Sequence, residues 1–278
     1  MKYFCMGYYK NFKEAANREL DLNLMLLTQC NQECSYCIFH CSPKKHEFVS
    51  DDVLNALTKK IVEYKKPVDL TLLGGEPTLH PRLKEIVDRY ATLPNVSSIT
   101  IQTNGRKSLK GIINKKLTII FSVHPEYYNH ARVIIKHIQE VREEVNTEVK
   151  VLYHPLFINE IHFLEKTLKE NNIPFYRDPV IEFEENQQDF DCEDTCFNVN
   201  GRSFTLKYIA SNKLNRFKDW MCLVHSVKVD IDGKVTYTCT GNSENVLDKN
   251  FKLQKQLIRC TRDDCHNSCG LEALKFTR

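Results

Sequence analysis

The stretch "LNLMLLTQCNQECSYCIFHC", residues 22–41, joins an apolar run of strand length to four closely spaced cysteines. The gaps between Cys30, Cys34, Cys37 and Cys41 are three, two and three residues. Zinc sites usually take cysteines in pairs, and disulfide frameworks space them more widely. A strand that ends directly in such a group indicates a metal centre at one edge of a sheet.

The chain up to residue 181 alternates between strand-like and helix-like segments. An apolar run of strand length lies at 22–29, and further strand-like segments lie at 68–75, 97–105, 117–125, 148–155 and 173–180. Segments with helical periodicity lie between most of them, at 50–66, 80–93, 130–145 and 159–172. This alternation predicts an α/β fold, a partial (β/α)6 TIM-like barrel of parallel strands with right-handed crossovers. In such a sheet, ligands bind at the carboxyl ends of the strands.

The pattern changes from residue 182, so we divide the chain into residues 1–181 and 182–278. The second part begins with an acidic, loop-like segment. It continues with a predicted hairpin at 225–241 that turns at Asp232-Gly233. A cysteine-rich tail then leads into a predicted short helix. We expect a small Cys-rich α+β domain there, built from the hairpin and the helix.

The composition argues against several classes of function. The 278 residues carry 39 basic and 36 acidic side chains without a dense basic block, which argues against binding to nucleic acid or anionic membranes. The sequence has no long apolar span and no signal-type N-terminus, so we expect no membrane association and a cytoplasmic location. In a reducing cytosol, the twelve cysteines favour metal binding or redox chemistry over disulfides.

Three closely spaced thiolates can hold three irons of a [4Fe–4S] cluster and leave the fourth iron open. The C-x3-C-x2-C run of Cys30, Cys34 and Cys37 resembles the motif of the radical S-adenosylmethionine (SAM) enzymes. The resemblance implies that these cysteines hold a cluster whose open iron binds SAM, with Cys41 outside the ligand set. It also implies reductive cleavage of SAM to methionine and a 5′-deoxyadenosyl radical, which abstracts a hydrogen atom from the substrate. Without the resemblance, a zinc site or a chance group of thiols would explain the same cysteines.

Polar motifs follow the other predicted strands, and the radical SAM resemblance gives them roles in SAM binding. "GGEP" (74–77) stands where the family carries its GGE motif, whose glutamate or neighbouring backbone holds the SAM ammonium. An aromatic residue just before the third cysteine packs on the adenine in that family. The implied SAM-binding residues are Tyr36, Gly74, Gly75, Glu76, Thr103, Asn104 and Ser122. Taken alone, a strand-to-helix turn and local side-chain caps would explain most of them.

Five further side chains are candidates for chemistry or binding. His124 and His154 each follow a strand and precede a proline, so both should face the barrel mouth. An imidazole there can act as acid, base or hydrogen-bond donor, or it can cap the rim structurally. Cys192 or Cys196 could donate a hydrogen atom, as a cysteine does in some radical SAM epimerases, or be a free thiol in the acidic loop. Arg177 could bind an anion or form an ordinary ion pair.

The C-terminal region resembles the auxiliary-cluster domains of radical SAM enzymes, of the SPASM and shorter Twitch types. It shares with them a cysteine before a hairpin, another after the hairpin glycine, and a C-terminal cysteine knuckle. Its C-x4-C-x3-C run departs from the seven-cysteine SPASM pattern, so the resemblance implies one auxiliary [4Fe–4S] cluster. The candidate ligands exceed four and are Cys222, Cys239, Cys260, Cys265 and Cys269. A zinc knuckle is the alternative, and Cys192 and Cys196 could join a second cluster with the spare thiol.

The resemblance also implies a class of reaction. We expect an enzyme that oxidises or epimerises a small polar substrate, such as a sugar, a cyclitol or a nucleotide-linked metabolite, with flavodoxin or ferredoxin as electron donor. Only 29 residues precede Cys30, too few for the peptide-recognition domain that many peptide-modifying relatives carry before the barrel. The alternatives are a peptide- or protein-modifying enzyme (epimerisation, cross-linking or side-chain oxidation) and a non-enzymatic iron–sulfur carrier or scaffold. The balanced charge disfavours a zinc-binding nucleic-acid module.

Overall fold

The computed structural model describes residues 2–4, 11–180, 196–199, 202–205, 212–237, 243–261, 263, 265 and 273–277. Six parallel strands follow one another in a single sheet: β2 (Leu20–Met25), β3 (Val68–Leu73), β4 (Val96–Thr103), β5 (Leu117–Val123), β6 (Asn146–Tyr153) and β7 (Tyr176–Pro179). This order confirms the partial barrel. Strand β1 (Tyr3–Phe4) and a short helix, α1 (Phe12–Ala16), precede it.

Four helices make four of the five crossovers between these strands, and residues 104–116 connect β4 to β5 without a helix. The helices are α2 (Asp51–Tyr64), α3 (Leu83–Ala91), α4 (Ala131–Val141) and α5 (Ile158–Glu170). Short 3-10 helices follow the strand ends at Pro77–Leu79, Pro125–His130 and Pro155–Phe157. Within the described part of the chain, none of the helices has the length and apolar character needed to cross a membrane.

The parallel strands alternate between two faces, as the pleat requires. Leucine, isoleucine and valine side chains on one face pack against the four helices, and Leu22, Leu70 and Ile119 are fully buried there. The intervening positions form the inner face of the barrel and are mostly polar, as at Asn23 and Thr71. The inside of the barrel therefore presents polar groups where a closed TIM barrel is filled by branched apolar side chains.

Strands from the C-terminal part extend the same sheet. The predicted hairpin is confirmed as β11 (Ser226–Val229) and β12 (Lys234–Tyr237), which pair antiparallel, and β13 (Ser243–Asn245) follows β12. Strand β11 pairs in parallel with β2, so that Lys228 lies opposite Asn23. The nine-stranded sheet thus runs across residue 181, and the division into two domains there stays a prediction.

The remaining strands form two smaller sheets. Strands β8 (Cys196–Val199) and β9 (Arg202–Thr205) pair with each other. The other sheet has the order β1, β15 (Leu274–Phe276), β10 (Met221–Val224) and β14 (Gln256–Arg259). The sequence suggested a short helix near Leu274, and the structure has a strand there. Leu274 and Lys275 are buried between the two neighbouring strands, and this tertiary pairing overrides local helical propensity.

Ser50 is the N-cap residue of α2. Its Oγ accepts a hydrogen bond from the Val53 N–H at 3.3 Å. Replacing Ser50 by alanine should lower the free energy of unfolding by about 1 kcal/mol, because that N–H loses its acceptor. Urea denaturation measures the change. The control Ser97→Ala, at an exposed position of β4, should cost less than about 0.5 kcal/mol, and equal losses in both variants would contradict the prediction.

Candidate iron–sulfur and SAM site

The four N-terminal cysteines lie on one closed loop, residues 30–41, which we name the cysteine loop. It leaves the end of β2 and returns to it, since the Cys30 N–H donates to the Ser42 carbonyl oxygen at 3.2 Å. Cys30 and Cys41 are buried, and Cys34 and Cys37 are half-buried. The loop thus holds its thiols at the carboxyl edge of the sheet, where the sequence predicted a metal centre.

The cysteines differ in how they are surrounded. The side chain of Cys41 and backbone N–H groups of residues 39–41 form hydrogen bonds to Cys37, and they lower its pKa to about 5. Burial raises the pKa of Cys30 to about 11 and also raises the pKa of Cys34. The thiolate is the form that binds metal. The turn after Cys37 therefore favours the metal-binding form of that thiol, whereas burial disfavours it at Cys30 and Cys34.

Side chains from two neighbouring strand ends hold the cysteine loop in place. After β4, Asn104 Nδ2 donates to Asn31 Oδ1 at 2.7 Å, and Arg106 Nη1 donates to the Asn31 carbonyl oxygen at 2.6 Å. After β5, the Tyr127 hydroxyl accepts from the Glu33 N–H at 2.8 Å, and Glu126 Oε2 accepts from the Ser35 N–H at 3.0 Å.

Of these contacts, the sequence singled out Asn104 alone. Arg106, Glu126 and Tyr127 went unnoticed as site residues, although each lies within five residues of a predicted strand end. Their position next to a predicted strand end was the one sequence feature that could have marked them as site residues. The partners themselves are 73 to 94 residues apart in sequence, so local patterns could not reveal them.

The two glycines of GGEP bring the backbone against the start of the cysteine loop. A Cβ at Gly75 would lie 2.0 Å from the Gln29 carbonyl oxygen, and Gly74 has φ +147°. The Gly75 N–H donates to the Leu27 carbonyl oxygen and the Glu76 N–H to that of Gln29, both at 2.9 Å. The close approach that requires glycine here is therefore to the chain itself.

Glu76 is fully buried at the junction of β3 and β4. Its Oε1 accepts from the Thr103 hydroxyl at 2.7 Å and from the hydroxyl and N–H of Thr78 at 2.7 and 3.0 Å. Its Oε2 accepts from the Asn104 N–H at 2.7 Å. Burial nevertheless raises the pKa of this carboxyl. The side chain thus joins the ends of β3 and β4 through hydrogen bonds, and both of its oxygens are used within the protein.

Tyr36 lies among aromatic and imidazole rings at the barrel mouth. Its ring stacks on His124 with 5.8 Å between centroids, and the His154 centroid lies 5.1 Å away. Its buried hydroxyl makes no hydrogen bond to the described residues. The sequence placed all three residues at strand ends or on the cysteine loop, and the structure brings them together.

The two histidines have different partners. His124 Nδ1 lies 3.3 Å from Cys34 Sγ, and burial lowers the pKa of this imidazole to about 4. His154 Nδ1 accepts a hydrogen bond from the Leu156 N–H at 3.2 Å and caps the 3-10 helix that follows β6. His124 is thus a neutral ring in contact with a cysteine of the loop, and His154 has the structural role that the sequence left open.

Ser122 lies on the inner face of β5, opposite Lys150 of β6. Lys150 Nζ donates to Asp178 Oδ2 at 2.7 Å, so a charged pair stands beside Ser122. Arg177 points to the other face, where its guanidinium pairs with the buried Glu165 of α5 at 2.9 Å. Of the two possibilities for Arg177, the structure contains the ion pair.

The C-terminal candidate ligands are only partly covered by the described residues. Cys222 of β10 and Cys265 are buried, and Cys260 directly follows β14 and is half-buried. Cys192, Cys239 and Cys269 lie outside the described residues, and of Cys196 the backbone alone is described. Among the residues that the structure covers, no three His, Cys, Asp or Glu side chains converge as ligands of a single metal ion. The auxiliary cluster stays a prediction.

Comparison with known sequences agrees with this geometry. Residues 24–120 match the Radical SAM superfamily. GTP 3′,8-cyclase from Trichormus variabilis is 31% identical over 88 residues, which cover 30% of this chain and 27% of that protein. The Aquifex aeolicus enzyme of the same name is 27% identical over 117 residues, covering 38% of this chain and 36% of that protein. The chain therefore spans well under half the length of these curated relatives.

Solved structures share the fold at low sequence identity. The enzyme anSMEcpe, solved with AdoMet and the Cp18Cys peptide, superposes with a TM-score of 0.57 at 16% identity, covering 83% of this chain and 78% of its own. Streptococcus suis SuiB bound to S-adenosylmethionine superposes with a TM-score of 0.54 at 15% identity. The match covers 84% of this chain and 64% of the SuiB chain. At such identities the likeness concerns the fold alone.

Proposed function

Because the chain carries a radical SAM domain at residues 24–120, we propose that this protein is an enzyme that cleaves SAM reductively and abstracts a hydrogen atom from a small polar substrate. The cysteine loop is the observation that supports the proposal most directly. The hydrogen bond from the Cys30 N–H to the Ser42 carbonyl oxygen closes the loop, and side chains from two strand ends hold it. Its thiols therefore keep fixed positions at the barrel mouth.

The donor set fits a [4Fe–4S] cluster on Cys30, Cys34 and Cys37. Three thiols lie on one loop, and one of them is already stabilised as a thiolate by the turn around it. When bound, such a cluster supplies the electron that converts SAM to methionine and a 5′-deoxyadenosyl radical. The rest of the site consists of groups that bind, orient and exclude water.

We assign SAM binding to the groups that surround the cysteine loop. The buried carboxylate of Glu76 fixes the backbone of the GGEP segment, and we assign this segment to the SAM ammonium. Asn104 and Ser122, with Thr103 behind them, are polar groups suited to the ribose and the SAM carboxylate. Tyr36 offers an aromatic face to the adenine. Gly74 and Gly75 set the distance between this segment and the cysteine loop.

His124 is a positioning residue in this proposal, because its imidazole contacts Cys34. His154 packs beside Tyr36 at the barrel mouth, where we assign it to the substrate side of the site, and its Nδ1 caps the following turn. Roles for Cys192 and Cys196 as hydrogen-atom donors, and for the C-terminal cysteines as ligands of an auxiliary cluster, belong to the same proposal. The outcome would be oxidation or epimerisation of the substrate radical.

Two observations support a polar, nucleotide-linked substrate. The polar inner face of the barrel suits a sugar, a cyclitol or a nucleotide-linked metabolite better than an apolar compound. The curated relatives named above are cyclases of GTP by name, which favours the nucleotide-linked class. The electron would come from an external carrier such as flavodoxin or ferredoxin.

Anaerobic reconstitution with iron and sulfide, followed by incubation with SAM and dithionite, tests the proposal. We expect 5′-deoxyadenosine and methionine in equal amounts. Deuterated candidate substrates should then transfer deuterium into deoxyadenosine. Formation of an iron–sulfur cluster without any deoxyadenosine would instead favour the electron-carrier alternative, and zinc in place of iron would contradict both.

A further inference from the structure

One row of inner-face side chains crosses the barrel below the cysteine loop. In-register pairing places Lys228 of β11 beside Asn23, then Thr71, Thr100 and Thr118 along the sheet. We name these five residues the inner row. The inner row contains a cation, an amide and three hydroxyls, and it contains no carboxylate. It can therefore donate hydrogen bonds to an anion without repelling it.

Lys228 has an unusual environment within this row. Its Nζ lies over the Phe39 ring of the cysteine loop, 4.2 Å from the centroid. Among the described residues it makes no hydrogen bond and no ion pair. Burial lowers the pKa of this half-buried amine. A cationic group held away from water without a counter-charge is costly, and an anion beside it would remove that cost.

The charged side chains nearest to Lys228 on the inner face are already engaged, whereas Glu148 of β6 is exposed. Lys150 is paired with Asp178 at 2.7 Å. One level lower in the barrel, Asp21 pairs with Arg18 at 3.0 Å, and Asp69 accepts a hydrogen bond from the Ser98 hydroxyl at 2.7 Å.

The carboxylate nearest in sequence is also engaged. Asp230, two residues beyond Lys228, accepts hydrogen bonds from the N–H groups of Asp232 and Lys234 in the hairpin turn. It raises the pKa of Lys228 less than burial lowers it. The hydroxyls of Thr71 and Thr100 make no hydrogen bond within the described part of the chain. The inner row thus combines an unpaired amine with two unpaired hydroxyls.

We propose that Lys228 and the inner row bind a phosphoryl group of the substrate. The inference rests on the proposed function and narrows its substrate class to phosphorylated metabolites. A compact ammonium and separate hydroxyls can donate hydrogen bonds to several oxygens of one tetrahedral phosphoryl group, and lysine is a common point-charge partner of phosphate. Since Lys228 also contacts Phe39, the bound group would lie between the inner row and the cysteine loop.

Binding of inorganic pyrophosphate tests this assignment apart from catalysis. Isothermal titration at constant ionic strength would compare the reconstituted wild type with Lys228→Met and Lys228→Arg. We expect saturable binding to the wild type with and without SAM, weakened about tenfold or more in Lys228→Met and by about threefold or less in Lys228→Arg. Lys234→Met, at an exposed position of the same hairpin, serves as the matched control and should bind like the wild type.

Several results would overturn the assignment. These are absence of binding to the wild type, equal affinity in Lys228→Met, and tighter binding of malonate than of pyrophosphate. Loss of pyrophosphate binding on addition of SAM would assign the lysine to SAM. Circular dichroism and iron content show whether Lys228→Met is folded and loaded, and Lys228→Arg keeps the test valid if it is not. Failure of the proposed function would appear separately, as absent deoxyadenosine with pyrophosphate binding intact.

Discussion

Replacing Cys34 by alanine should abolish both the cluster and deoxyadenosine formation, whereas replacing Cys41 by alanine should preserve both. Cys34 is one of three candidate iron ligands and contacts His124 at 3.3 Å. Without it, two thiols would remain for three irons. Cys41 is buried, and its Sγ donates to the Phe39 carbonyl oxygen at 3.7 Å. Its removal should cost only about 1 kcal/mol of stability, for a small buried group.

Iron and sulfide content, the visible spectrum and deoxyadenosine yield measure this prediction in the two variants. Both substitutions remove one thiol from the same loop, so each controls for the other. Loss of the cluster in Cys41→Ala would show that the fourth thiol is a ligand. Full retention in Cys34→Ala would show that the three-cysteine reading of the loop is wrong.

Replacing Glu76 by alanine should lower the free energy of unfolding by about 3–4 kcal/mol. The carboxylate is fully buried and accepts hydrogen bonds from Thr78, Thr103 and Asn104. Truncation leaves these buried donors without acceptors, and each unsatisfied group costs about 1–3 kcal/mol. Glu76→Gln should lose less stability. Its amide oxygen can still accept from Thr78 and Thr103, while its NH₂ group would face the Asn104 N–H and leave that donor without an acceptor.

Urea denaturation measures the free energy of unfolding of the three proteins. We expect it to decrease from the wild type to Glu76→Gln and further to Glu76→Ala. A matched control is Glu63→Ala, whose carboxylate is half-exposed and lies 3.9 Å from Lys59. A surface pair of this kind contributes little, so its loss should cost less than about 0.5 kcal/mol. A Glu76→Ala loss as small as that of the control would mean that the buried network does not stabilise the strand ends.

Local patterns in the sequence were sufficient for the barrel strands. Each of the six parallel strands lies within or overlaps a segment that the sequence marked as strand-like, and Ser50 directly precedes α2. The gathering of Tyr36, His124 and Asn104 at one edge also followed, because the carboxyl ends of parallel strands meet there. These predictions depended on short-range periodicity and on one topological rule.

Other features depend on contacts between distant residues, which such patterns do not contain. The reach of Arg106 and Tyr127 to the cysteine loop depends on side-chain directions in the folded sheet. The pairing of β11 with β2, which creates the inner row around Lys228, joins segments that look independent in sequence. The strand at Leu274–Phe276 forms because two partner strands are already in place.

The pairing of β11 with β2 has a consequence for how the chain folds during synthesis. Asn23 and Ser226, which are hydrogen-bonded, stand 203 residues apart. Until the ribosome has released the hairpin, one edge of β2 has no partner, and an unpaired strand edge invites aggregation. High contact order of this kind slows folding. A fragment that stops before residue 226 would keep that edge exposed, so it should depend on chaperones far more than the full chain does.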